Sequence, residues 1–140
     1  MTWCVAVADF GAQVRAFTEK AEDKLALAVQ KISLEMFERV ILRSPVDTGR
    51  FRGNWQVGIG NVPAGTLDLN DKSGRATISK AQAAALSLEP GQSITLINNL
   101  PYSIRLENGW SQQAPAGMVG LAIQDFQEIA RQVGVELVRI

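Results

Sequence analysis

From Phe10 to Val40 apolar residues recur at steps of three and four: Phe10, Val14, Phe17, Ala21, Leu25, Ala28, Ile32, Met36 and Val40. That spacing draws an apolar stripe along one side of a helix. Glu19, Lys20, Glu22, Asp23, Lys24 and Lys31 fall on the opposite side, Glu35 and Arg39 form a favourable i, i+4 pair, and Pro45 ends the helix near Arg43. Roughly 32 residues at about 1.5 Å of rise make a rod of about 48 Å, whereas a compact chain of this length is about 37 Å across. Part of the stripe is expected to project beyond its own domain. The simplest cover for it in water is a neighbouring copy of the chain.

Alternation replaces the helical period after residue 53. Trp55, Val57 and Ile59 share one face of "NWQVGIG", which reads as a half-buried strand, and "SITLIN" (93–98) is a second strand candidate. Between them, residues 61–78 are rich in Gly, Asn, Asp and Ser and predict a long loop, followed by a short alanine-rich helix over 79–88 with Ser79 as its cap. With few apolar side chains to hold it, that loop is expected to be mobile until a neighbouring subunit orders it. Tyr102 to Glu107 predicts a short helical segment stopped by Asn108 and Gly109; Met118, Leu121, Ala122, Phe126, Ile129 and Val133 predict a closing helix, and "VELVRI" a strand or an unpaired tail. The expected fold class is α+β: a long N-terminal helix packed on a small, mostly antiparallel β-sheet, with a C-terminal helix, all in one domain over residues 1–140.

Composition narrows the chemistry. Fourteen basic residues, Lys and Arg together 14, balance Asp and Glu, also 14, so no whole-molecule field draws the chain to nucleic acid or an anionic membrane. With 0 histidines, Ser-His-Asp and Cys-His catalysis and histidine zinc sites are excluded, and the 1 cysteine, Cys4, makes neither an internal disulfide nor a thiolate cage. Cys4 reads as a small core or edge residue. "MTWCVAVA" lacks a basic start and is too short to span a bilayer, so the expectation is a soluble, cytoplasmically made protein without cofactors.

One segment stands out: "SPVDTGRFRGNW", residues 44–55. Asp47 is placed to accept backbone N–H groups ahead of it, Gly49 to supply a positive φ, and Arg50 and Arg52, if extended, to point to one side. Read plainly it is a helix-to-strand corner whose arginines pair with carboxylates, with Trp55 buried by the alternation. Arg39, Arg43, Arg50 and Arg52 cluster in sequence and give a nucleic-acid reading some footing, though Glu38 and Asp47 interrupt the charge. A magnesium-type site would need Asp47, Asp68, Asp71 and Glu107, which show no aligned spacing. In "YSIRLENGW" the expectation is that Tyr102, Ile104 and Leu106 or Trp110 pack under the sheet and that Glu107 pairs with Arg50 or Arg52, joining the two segments.

These two segments, in this order and followed by a closing helix, resemble the small neck or tail-completion (head–tail joining, minor tail) proteins of tailed bacteriophages and prophages. Pro45, Asp47, Thr48, Gly49 and Arg50 sit on that family's corner motif, with Arg52 and Trp55 beside it; Tyr102, Glu107 and Gly109 sit on its second motif, followed here by Trp110. The match runs from about Ile32 to Val133; residues 65–76 and Trp110-Ser111 depart from the pattern. The resemblance implies a non-enzymatic virion protein forming a homo-oligomeric ring, taken as a hexamer, at the head–tail connector or head-proximal tail end. Other neck, connector and tail-tube proteins would be its partners, no membrane is involved, and DNA passes only as cargo. A small nucleic-acid-binding or other phage accessory protein is the alternative.

Overall fold

The structure, a computed structural model, describes residues 2–138, with side chains from residue 11 to 137. It is α+β, as the patterning predicts: a long helix α1 (Thr2–Arg43), one helical turn α2 (Arg50–Gly53), strand β1 (Trp55–Ile59), helix α3 (Arg75–Leu86), strand β2 (Ile94–Asn98), a short helix α4 (Ser103–Glu107) and a closing helix α5 (Val119–Val138). The reading of Cys4 concerns a side chain outside those described, as Arg139 and Ile140 lie outside the described residues. "VELV" belongs to α5, so the expected strand or tail is corrected there: the apolar period of α5 simply continues.

Pro45 ends α1 where expected, because a residue before proline is pushed out of the helical region. The end is then closed by side chains. Ser44 donates its hydroxyl to the Val40 carbonyl at 2.8 Å, and the Arg52 guanidinium donates to the carbonyls of Leu42 at 2.9 Å and Ser44 at 2.7 Å. Carbonyls at a helix C-terminus lack intrahelical donors, and a cation there also meets the negative end of the helix dipole.

β1 and β2 form a two-stranded antiparallel sheet, with Trp55 opposite Asn98 and Ile59 opposite Ile94. Two strands alone are marginal in water, and helices provide the cover. The C-terminal half of α1, α2, β1, α3 and the start of α5 meet in one core of Val40, Ile41, Phe51, Trp55, Ala81, Leu100, Ala114, Met118 and Ala122. Met36, Phe37 and Val57 pack against it.

α3 begins at Arg75, four residues before the expected start, and ends at Leu86. Its N-cap position is Gly74 and not Ser79, and the helix start is closed by the buried Asp71 carboxylate, which accepts Gly74 N–H at 3.1 Å, Thr77 N–H at 2.9 Å and the Thr77 hydroxyl at 2.8 Å. Burial alone would raise Asp71, yet the donors from Thr77, Gly74 and Ser73 outweigh it and hold the carboxyl below its ordinary value.

Residues 61–74 form the expected loop, and side-chain hydrogen bonds tie it to the fold. The fully buried Asn54 amide exchanges two hydrogen bonds with Leu67, donating at 3.1 Å and accepting at 2.7 Å, and Asn99 donates to the carbonyls of Pro63 at 3.0 Å and Gly65 at 2.9 Å. Side-chain amides do here what the missing apolar side chains do not.

α5 runs antiparallel to the second half of α1: Lys31 pairs with Glu136 at 2.9 Å, and Asp125 accepts from Arg39 at 3.0 Å and Arg43 at 2.7 Å. The Glu35–Arg39 pair forms at 3.0 Å. Ahead of this region residues 88–92 still reach α1, with Gln30 donating to the Leu88 carbonyl at 2.8 Å and Leu25, Ala26 and Val29 sharing a pocket with Leu88 and Pro90. Residues 12–25 are exposed throughout, with Phe17 at 74% and Leu25 at 66% of full exposure. At about 1.5 Å per residue α1 is a rod of about 63 Å, and its apolar stripe runs on past the globule.

Candidate functional site: the corner and its groove

The corner is built from the turn outward. Gly49 takes φ 87°, which a side chain rarely tolerates, and an added Cβ would lie 2.5 Å from Lys72 N and 2.7 Å from Asp71 N. Its carbonyl accepts both Gly53 N–H at 2.9 Å and Asp71 N–H at 3.0 Å, so one glycine starts α2 and anchors residues 61–74. The Thr48 hydroxyl, and no oxygen of Asp47, accepts the Arg50 N–H, at 3.3 Å. Asp47 is exposed and its expected capping contact is absent.

Because residues 50–53 are helical and not extended, the two arginines part. Arg52 turns back under α1, also donating to the Lys72 carbonyl at 2.8 Å; Arg50 remains in solvent. Burial lowers Arg52 below its ordinary value, and the nearby Asp71 offsets part of that. Neither arginine meets a carboxylate as a salt bridge among the described residues, which corrects the expected arginine–carboxylate corner. Trp55 is buried as expected and donates its indole N–H to the Ser44 hydroxyl at 2.7 Å, locking β1 to the end of α1.

The second segment does come to the corner, but Glu107 does not join it to the arginines. Glu107 sits at the N-terminus of α5, accepting the N–H groups of Met118 at 3.0 Å, Val119 at 3.0 Å and Gly120 at 2.8 Å. Burial pushes its carboxyl up, the three donors pull it down further, and the net value is below the ordinary one. A helix N-terminus offers free N–H groups and a positive dipole end, so it outcompetes a solvated arginine for this carboxylate. The junction is made by other groups. Gln113 exchanges two hydrogen bonds with the Val46 backbone, accepting at 2.9 Å and donating at 3.0 Å, and the Tyr102 ring lies 6.0 Å from that of Phe51.

Between the two segments runs an open groove of about 370 Å³, lined by Pro45, Asp47, Thr48, Arg50, Tyr102 and Gln113 among others. Gly109 takes φ 87° and is pressed against the Pro115 carbonyl, which turns the chain so that Trp110 stands 74% exposed with Arg105 stacked 5.3 Å from its ring. Of the aromatic and aliphatic residues expected under the sheet, only Leu106 packs on the core; Tyr102, Ile104 and Trp110 face solvent. Thus Pro45, Asp47, Thr48, Gly49, Arg50 and Tyr102 gather at one groove, while Arg52, Trp55 and Glu107 are internal braces.

Sequence reasoning missed Gln113, Phe51 and Asn54. Gln113 and Asn54 act through contacts 67 and 13 residues away, a distance at which no local pattern speaks. Phe51 was visible in the corner but overshadowed by its arginines. Among the described residues no three His, Cys, Asp or Glu side chains gather to hold a metal, and Asp71 and Glu107 are each committed to a helix start. No helix of the described residues is long and apolar enough to cross a membrane. Compared with family models, curated proteins and solved structures, the chain matches none of them.

Proposed function

We propose that the chain is a non-enzymatic structural subunit of a tailed phage or prophage virion, which assembles into a ring at the head–tail connector or the head-proximal end of the tail. Neck, connector and tail-tube proteins are its neighbours, and DNA passes only as cargo. The observation that carries the reading is the projecting half of α1, with Val14, Phe17 and Leu25 exposed at 47%, 74% and 66%. An apolar stripe on a helix that outruns its core has no use inside the subunit, and burial against other subunits is the ordinary resolution. The open groove at the corner, where the two motif segments meet, gives a second surface for a partner. The resemblance of those segments to neck and tail-completion proteins supplies the virion context.

The nucleic-acid alternative is less well supported. Of the four clustered arginines, Arg39 and Arg43 are neutralised by Asp125 and Glu35 together and Arg52 is spent on backbone carbonyls, so only Arg50 is free to meet a phosphate. Quantitative mass spectrometry of purified particles tests the reading: the protein is expected at several copies per particle, and its absence from particles would contradict it.

A further inference from the structure

We propose that the projecting part of α1 docks into a groove on a second copy of the chain, the groove formed by α4, β2 and the start of α5. This rests on the reading of the chain as an assembling subunit and specifies how the copies join. The groove is mostly apolar: a cleft of about 190 Å³ is lined by Trp55, Leu96, Ile97, Ile104, Met118 and Val119, with the polar Asn98, Ser103 and Glu107 also on it. Ile123 and Phe126 extend it along α5, since they follow Val119 at i+4 and i+7 on one side of the helix. Ile104 is 74% exposed, Ile123 61% and Phe126 45%, a run of apolar surface that the subunit leaves open.

The arm cannot reach its own groove. Asp125 pairs with Arg39 and Arg43, so the exposed stripe of α5 lies level with the last turns of α1. Leu25 stands some 14 residues earlier on the same unbroken helix, about 20 Å away along its axis. Arm and groove are therefore different surfaces at opposite ends of one subunit. Joining them between copies is a heterologous, head-to-tail contact, the kind that closes into rings.

The match in chemistry favours a second copy as the occupant. An amphipathic helix laid in an apolar groove is read by anchors at steps of three and four, and Val14, Phe17, Ala21 and Leu25, at i, i+3, i+7 and i+11, keep those steps. The arm's charges, Arg15, Glu19, Lys20, Glu22, Asp23 and Lys24, cancel, so copies do not repel. On α4, Arg105 stacks on Trp110 and lacks a carboxylate partner among the described residues, as Glu19 and Glu22 on the arm lack a basic one. The arm over residues 11–25, about 22 Å long and about 10 Å across, offers about 350 Å² of face. Both partners together then bury about 700 Å², below the roughly 1,200–2,000 Å² of specific interfaces. One such contact is weak; a closed ring gives each subunit two.

The test is complementation between two single variants, Phe17→Asp on the arm and Ile123→Asp in the groove, both at exposed positions and checked for fold by circular dichroism. Sedimentation velocity on the full chain from micromolar to about millimolar concentration is expected to show wild-type self-association, weakened about tenfold or more by either substitution alone. An equimolar mixture is expected to form a dimer that stops there, because one intact arm meets one intact groove. If Phe17→Asp abolishes association and Ile123→Asp does not, with no gain on mixing, the contact is arm to arm and the proposal is overturned while the assembling-subunit reading stands. A wild-type chain that stays monomeric throughout overturns both the docking and the self-assembly beneath it.

Discussion

The Glu107 carboxylate holds the backbone N–H of Gly120 at 2.8 Å, thirteen residues along the chain. It fixes where α5 begins and thereby which residues of α5 face α1 and which face solvent. Asp71 does the same for α3. Both carboxyls are held below their ordinary values in the folded chain.

The pH dependence follows from that direction. A carboxyl whose folded value is depressed contributes stability that is complete above its unfolded value, about 4, and is lost as pH falls through the folded one. Urea unfolding is therefore expected to show a plateau near neutrality and a decline below about pH 4. Glu107→Gln should lower the plateau by about 0.5–2 kcal/mol, the range for losing a helix cap, and flatten the acid decline. An acid limb unchanged in the variant would contradict the capping role.

Gly49 gives a sharper expectation. Alanine there meets both a positive φ and the backbone of residues 71–72 at 2.5–2.7 Å. Gly49→Ala is expected to destabilise by about 2–4 kcal/mol, strain and displaced loop together. Thermal unfolding reads it directly, and a shift of less than about 0.5 kcal/mol, the size of an ordinary surface substitution, would mean the turn is not as described.

The two corner arginines are expected to separate stability from assembly. Arg52→Lys loses a fork that spans three carbonyls, from Leu42, Ser44 and Lys72, and should cost about 1–3 kcal/mol of folding stability. Arg50→Glu touches nothing within the subunit and should leave stability within about 0.5 kcal/mol. Lining the groove, it should instead impair association with neighbouring proteins. Denaturation of both variants beside a head–tail joining assay tests this; the reverse pattern would contradict the division of labour.

What the sequence made legible has a common physical character. The α1 stripe, the stop at Pro45, the turn at Gly49, the alternation that buries Trp55 and the Asn108-Gly109 stop are all local, set by steric and periodic rules acting within a few residues. The failures are competitions between distant groups. Glu107 was assigned to an arginine by charge alone, but free N–H groups at the start of α5 bind it better. Arg52 was read as a charge when its forked geometry suits the α1 C-terminus. The loop after β1 was legible as a loop, but no pattern announces the hydrogen bonds by which Asn54 and Asn99 tie it to the fold. At the candidate site the corner was legible and its groove was not, because Gln113 and Tyr102 arrive there only through the tertiary fold.

The central claim is that this chain joins phage parts by assembling between them, and electron microscopy of particles from a phage lacking the protein tests it most directly. The account predicts DNA-filled heads lying apart from tails, or tails with faulty head-proximal ends, restored to joined particles by the wild-type chain but not by Arg50→Glu. Intact, infectious particles in the absence of the protein would contradict it.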